Sequence, residues 1–143
     1  MSILKQVSVK EKITTVEYPH IEGFEIKIAY LSRDELSKIR KNSLHFVYNS
    51  RSRQKEEVVD DDKFLEEYTR KTIKGWKGLK VKHLPELMVA EIGNVNPEQE
   101  VPYSEEDALF LIKNSIDFDQ FITDILGDLS NFNKVEEEKE EKN

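Results

Sequence analysis

The chain has 143 residues, the size of one ordinary domain, and no cysteine, which excludes disulfides, thiolate metal sites and cysteine nucleophiles. Its 22 basic and 29 acidic residues give a formal net charge of −7, which argues against a general nucleic-acid-binding protein because phosphate contacts need positive surface. Residues 1–12 lack the apolar core of a secretory signal, and no apolar run reaches the ~20 residues of a membrane span, so we expect a soluble intracellular protein without membrane contact.

The N-terminal part predicts a β-hairpin that follows a weakly patterned segment, residues 1–12. Residues 13–18 are rich in β-favouring side chains, and residues 24–30 alternate apolar and polar side chains with the period of a half-buried strand. Residues 19–23 carry turn formers, so the two strands are expected to pair as a hairpin.

Two helices are predicted after the hairpin. The first begins with Ser32 and Glu35, which fit a capping box. Its apolar stripe at helical spacing is Leu36, Ile39, Ser43, Phe46 and Val47. The polar residues 49–57 are expected to form a loop or a frayed helix end. The aspartates at residues 60–62 then cap a second helix, which Gly75 is expected to end.

The second half of the chain predicts irregular structure followed by helices. Residues 75–103 are expected to be irregular apart from a short helix around Pro85. Ser104, with Asp107 three residues later, is expected to cap another helix, which Ser115 interrupts. The strongest amphipathic pattern then covers residues 118–132.

These elements predict an α+β fold that is mainly helical. We expect one small antiparallel β-hairpin packed on about four to five α-helices, because a hairpin alone is marginal without such support. The globular domain is expected to cover residues 13–132, after a weakly ordered N-terminus at residues 1–12. Residues 133–143 contain mostly Glu and Lys, so they are expected to form a charged disordered tail.

The sequence carries no pattern that predicts an enzyme, a metal site or a cofactor site. The histidines, His20, His45 and His83, stand alone, whereas zinc needs three or four ligands placed together. The aspartates at residues 60–62 lack the central glycine and distal glutamate of a calcium loop. Neither a nucleophile elbow nor a glycine-rich phosphate loop is present.

Trp76, which lies between Gly75 and Gly78, is the most distinctive local feature. It is expected either to anchor a loop in the core or to form a hot spot of a protein interface, where tryptophan is enriched. Residues 70–83 around it carry six Lys or Arg and no acid, so they could contact a nucleic acid, an acidic protein or the acidic tail. The negative net charge favours a protein.

The apolar stripe of the C-terminal helix is expected to belong mainly to the core. It is nevertheless generous for so polar a chain, so part of it is expected to be covered by a partner or a second copy. The candidate protein-binding residues are therefore Trp76, Leu79, Phe118, Phe121, Ile125, Leu129 and Phe132.

Four segments follow one another in a distinctive order between residues 22 and 132. They read FEIKIAYLSRDEL at residues 24–36, IKGWKGL at 73–79, VPYSEEDAL at 101–109 and DFDQFI at 117–122. This order resembles the tail assembly chaperones of long-tailed (siphovirus-type) bacteriophages. The resemblance implies a cytoplasmic protein of the host cell that binds the tape measure protein, keeps it soluble and recruits tail tube protein. It also implies that a longer, frameshifted form is made in many such systems.

The physical properties are compatible with that role. Apolar helix faces on an acidic protein can cover the apolar stripes of a helical partner, and self-association along the partner would add avidity. Two alternatives remain open: a small structural protein of the virion tail or connector, and a nucleic-acid-binding regulator that uses residues 70–83.

Overall fold

The computed structural model describes residues 2–7 and 11–133 of the chain. The strands are β1 (Ile13–Glu17), β2 (Glu25–Ala29), β3 (Leu44–Asn49), β4 (Gln54–Val59) and β5 (Ile73–Lys77). The α-helices are α1 (Arg33–Asn42), α2 (Asp61–Thr72), α3 (Leu84–Leu87), α4 (Glu105–Asn114) and α5 (Ile116–Leu126). Two 3-10 helices (Ile3–Gln6 and Val81–His83) and a helical turn at residues 130–133 complete the regular structure of this part of the chain. The predicted charged tail lies outside the described residues from residue 134 onward.

Three antiparallel strands, in the order β1-β2-β5, form the sheet that carries the core. β1 and β2 are the predicted hairpin, and their register places Val16 opposite Ile26. β5 pairs with the other edge of β2, so that Ile26 also lies opposite Trp76. Because side chains alternate between the two faces of a strand, Ile26 and Ile28 are buried on one face while Lys27 is exposed on the other.

Side-chain caps begin four of the α-helices. The hydroxyl of Ser32 accepts the N–H of Glu35, and the hydroxyl of Ser104 accepts that of Asp107, which confirms both predicted caps. Asp60 caps α2 in the same way, as predicted. Ser115, which was expected only to interrupt a helix, ends α4 and caps α5.

The helices cover the apolar face of the three-stranded sheet. α2 packs on β2 and β5, α4 packs on α2, and α5 packs on α4 and α3. The buried core that results is formed by Tyr18, Ile21, Phe24, Ile26, Ile28, Ile73, Leu79, Leu87, Ala108, Leu111, Ile112, Phe118, Ile122 and Phe132.

The prediction of a mainly helical fold with a single small hairpin is wrong. The described residues form two antiparallel sheets, one of three strands and one of two, and about 45% of them are helical. The difference arises at three places, residues 44–49, residues 54–59 and residues 73–77, where predicted helix or loop is strand.

The strands at residues 44–49 and 73–77 each have a physical cause. The predicted first helix ends at Asn42 because Ser43 turns its hydroxyl back onto the Ile39 carbonyl, and the β-favouring residues that follow form β3. Likewise α2 ends at Thr72, before Gly75, because Ile73 has an extended backbone and starts β5. Because β5 pairs with β2, this segment forms a strand, although its glycines predicted irregular structure.

Candidate protein-binding surface

Trp76 joins two segments that are far apart in the sequence. Its indole Nε1–H donates to the Val101 carbonyl at 2.9 Å, and its ring meets the ring of Tyr103 edge to face, with centroids 5.1 Å apart. The Tyr103 hydroxyl in turn donates to the Ile73 carbonyl at 2.9 Å, and the Val101 N–H donates to the Leu79 carbonyl at 2.8 Å. Trp76 is half-buried, so these contacts anchor it to the core while part of its side chain remains exposed.

Replacing Trp76 with phenylalanine is expected to lower the free energy of unfolding by about 1–2 kcal/mol, because the Val101 carbonyl loses its donor while most of the ring packing stays. Chemical denaturation of the purified variant measures this change. Phenylalanine in place of Tyr48, whose side chain is mostly exposed, is the control and is expected to change it by less than about 0.5 kcal/mol. Equal effects of the two substitutions would contradict the anchoring role.

The predicted binding stripe of the C-terminal helix is divided between core and surface. Phe118 and Phe132 are buried, Phe121 and Ile125 are half-buried against the core, and Leu129 is 53% exposed. Leu79 is likewise buried and belongs to the core cluster. The structure therefore does not gather these predicted residues, together with Trp76, into one exposed surface.

A hydrogen bond fastens the first hairpin to α5. The hydroxyl of Tyr18 donates to a carboxylate oxygen of Asp117, and the Tyr18 ring packs against Phe24 and Phe121. Burial, and then the hydrogen bond with Asp117, raises the pKa of the Tyr18 hydroxyl above its ordinary value. The tyrosine therefore stays protonated and keeps donating throughout the neutral range.

The structure places a second hairpin between α1 and α2, and we call it the arm (residues 44–59: β3, the turn at residues 50–53, and β4). At its base the Asp60 N–H donates to the Ser43 carbonyl at 2.7 Å, so the arm leaves and re-enters the domain at one point. Its strands contact each other extensively and no other described element to a comparable extent. Two strands alone are marginally stable in water, so an arm with few contacts to the rest of the described residues would gain stability if another surface covered it.

Large apolar side chains are exposed along the arm. On one face lie Leu44, Phe46 and Tyr48, and Phe46 and Tyr48 are 66% and 63% exposed. Opposite them on β4, on the same face, are Val59, Glu57 and Lys55. The other face carries Val47 and Val58, which are also exposed. Exposed aromatic side chains of this kind make the arm a candidate surface for another macromolecule.

The signal for the arm was present in the sequence but ambiguous. Phe46 and Val47 continue the spacing of the preceding helix, and they also fit the β-favouring run at residues 44–48. The partner strand is polar at residues 54–57, because neither of its faces is buried, and therefore shows no alternation of apolar side chains. A turn-forming run at residues 49–53 between the two segments was the signal that could have identified the hairpin.

The basic residues around Trp76 pair with acidic residues of the same chain. Lys74 pairs with Glu11, and Lys77 with Glu25, at 3.5 and 2.9 Å. Lys80 and Lys82 both contact Glu98, and their hydrogen bonds, that of Lys82 most, lower the pKa of Glu98. Arg70 lies 4.0 Å from Glu67. Five of the six basic residues of residues 70–83 therefore lie close to a carboxylate of the same chain, which offsets much of the positive charge of this segment.

Among residues 2–7 and 11–133, no three His, Asp or Glu side chains are grouped so that they could hold a metal ion. Within the same ranges, every helix is too short or too polar to cross a bilayer.

Comparison with known proteins gives one finding. A family model described as YdaY prophage protein matches residues 32–143. The matched range includes the arm and both segments that meet at Trp76, whereas β1 and β2 precede it. No curated protein and no solved structure shows a significant match to the chain.

Proposed function

The chain belongs to the YdaY prophage protein family and is phage-derived, and from this premise we propose that it is a non-enzymatic tail assembly chaperone. In this proposal it binds the tape measure protein, keeps it soluble in the host cytoplasm and recruits tail tube protein. The proposal is supported by the resemblance of four segments, which include the two that contact each other through Trp76, Val101 and Tyr103.

The observation that carries the proposal is the apolar face of the arm. Leu44, Phe46 and Tyr48 present a row of side chains that the domain itself does not cover. An apolar stripe on a helix of the partner can lie across such a row, with the aromatic rings as anchors. Lys55 and Glu57 border the row and keep it hydrated when the partner leaves, which suits a chaperone that must be released.

Co-expression with the tape measure protein of the same prophage tests the proposal. The unaltered chain is expected to co-purify with the tape measure protein and to increase its soluble fraction. The double variant Phe46→Ser/Tyr48→Ser is expected to weaken the association on the order of 10- to 100-fold, because two exposed anchors are lost while the core is untouched.

The matched control removes two exposed apolar side chains elsewhere on the domain. Val89 and Ile116 are both highly exposed and line one open depression beside α3, and Val89→Ser/Ile116→Ser is expected to retain the association. Absence of association by the unaltered chain would overturn the proposed function. Presence of the protein in purified virions, measured by mass spectrometry, would instead favour the structural alternative.

A further inference from the structure

The outer edges of the arm carry backbone groups that no other strand within the described residues pairs. In an antiparallel pair, residues that exchange hydrogen bonds alternate with residues whose N–H and C=O point outward. The Asp60 N–H donates to the Ser43 carbonyl, so this pair stands at a bonded position of the ladder, and the next pair, Leu44 and Val59, stands at a non-bonded one. The outward groups on β3 therefore belong to Leu44, Phe46 and Tyr48.

The two edges differ in charge. The corresponding outward residues on β4 are Lys55, Glu57 and Val59, and charged side chains on an edge oppose the addition of another strand. β3 has no acidic or basic residue besides His45, so its edge has no such protection. The whole arm has three basic and two acidic residues, a net charge of +1 in a chain of net charge −7. Two copies can therefore meet here without opposing acidic surfaces.

We propose that two copies of this chain pair through the outer edges of β3 and form a four-stranded antiparallel sheet in the order β4-β3-β3-β4. A two-fold axis perpendicular to the sheet requires that residues of the same face oppose each other. With Leu44, Phe46 and Tyr48 outward, several registers satisfy this condition, and the one that pairs all three outward residues places Phe46 opposite Phe46 of the second copy. Leu44 then lies opposite Tyr48 of the second copy, and His45 opposite its Val47.

This register uses every outward group of β3. The three opposed pairs exchange about six backbone hydrogen bonds. The apolar rows of the two arms become one continuous surface, because Leu44, Phe46 and Tyr48 of both copies share a face. Antiparallel pairing also places the bases of the two arms at opposite ends of the shared sheet, about 20 Å apart along the strand direction. The pairing uses a strand edge, so it is independent of the proposed chaperone function, which uses a face.

Disulfide trapping tests the register directly, because the chain has no cysteine of its own. His45 and Val47 of opposite copies are directly opposed, with Cα atoms about 4.5 Å apart, within disulfide range. Mixing a His45→Cys variant with a Val47→Cys variant of different mass is expected to give the mixed disulfide dimer, at least about tenfold in excess over either self-linked dimer. In a self-linked dimer the disulfide would have to join the same residue of the two copies, and these residues form a diagonal pair about 7–8 Å apart.

A Glu56→Cys variant is the control for random collision. Glu56 lies on the same face as Val47 and is its neighbour on β4, but it is one strand further from the two-fold axis. Mixed with His45→Cys, it is expected to give no excess of the mixed dimer. Equal linkage in both mixtures, or none in either, would overturn the register.

Sedimentation velocity tests the association itself. The unaltered full chain is expected to dimerise at or below a concentration on the order of 100 μM, as a small interface allows. Phe46→Lys is expected to raise the dissociation constant at least about tenfold, because two ammonium groups would oppose each other at the axis. Glu57→Lys, directly across the hairpin from Phe46, places the same side chain on the β4 edge and is expected to leave the dimer intact. A monomeric unaltered chain, or equal effects of the two variants, would overturn the proposal.

Discussion

Replacing Phe118 with alanine is expected to lower the free energy of unfolding by about 3–5 kcal/mol. The side chain is fully buried in α5 and packs in the core cluster beside Tyr18, with ring centroids 6.1 Å apart. Its removal leaves a cavity in the core, which the surrounding structure closes only in part. Denaturant unfolding, followed by the circular dichroism of the helices, measures the loss.

Leu129→Ala is the matched control because Leu129 belongs to the same predicted stripe but is 53% exposed. We expect it to lower the free energy of unfolding by less than about 1 kcal/mol. If Phe118→Ala left the unfolding transition unchanged while association with the tape measure protein was lost, Phe118 would be a contact of the partner and not a core residue.

Replacing Gly78 with alanine is expected to lower the free energy of unfolding by about 2–5 kcal/mol. Gly78 has a φ of +82°, which an L side chain rarely adopts, and an added Cβ would collide with the carbonyl of Gly23 in the turn before β2. To relieve the collision, the turn at Gly23 and residue 78 must move apart, which disturbs the packing of the neighbouring Leu79 in the core. Thermal unfolding of the purified variant measures the effect.

The control for this substitution is Gly75→Ala. An added Cβ at Gly75 meets only the flexible side chain of Lys27, at an ordinary distance of 3.7 Å, and the backbone there needs no positive φ. Its midpoint of thermal unfolding is expected to stay within about 2–4 °C of the unaltered chain. If the two substitutions destabilised the protein equally, the close approach of Gly78 to Gly23 could not explain the effect of Gly78→Ala.

Local signals in the sequence predicted the parts of the fold that local interactions determine. The caps at Ser32, Asp60 and Ser104 are where the sequence places them, since each depends on one side chain and a nearby N–H. The hairpin of β1 and β2 was equally predictable, because one of its faces is buried and its apolar residues alternate. The strand at residues 73–77 was not, because it forms only by pairing with β2, a partner distant in sequence.

The candidate site was less predictable than the fold. The amphipathic pattern predicted that the stripe of the C-terminal helix lies mainly in the core, as Phe118 and Phe132 do, but it could not tell which residues of the stripe stay exposed, as Leu129 does. The most exposed aromatic residues, Phe46 and Tyr48, lie instead in a segment assigned to a helix and a loop. Exposure depends on which elements pack together, and a residue pattern alone does not contain that information.

The single hydrogen bond between Ser43 and Asp60 makes the arm a closed insertion, whose two ends meet at one peptide-to-peptide contact. The loop-closure entropy that a different insert would add grows only slowly with its length. We therefore expect that residues 44–59 can be exchanged or lengthened without redesign of the three-stranded sheet. A change in this surface then requires changes only in the sixteen contiguous residues of the arm, while the three-stranded sheet and the helices that cover it stay the same.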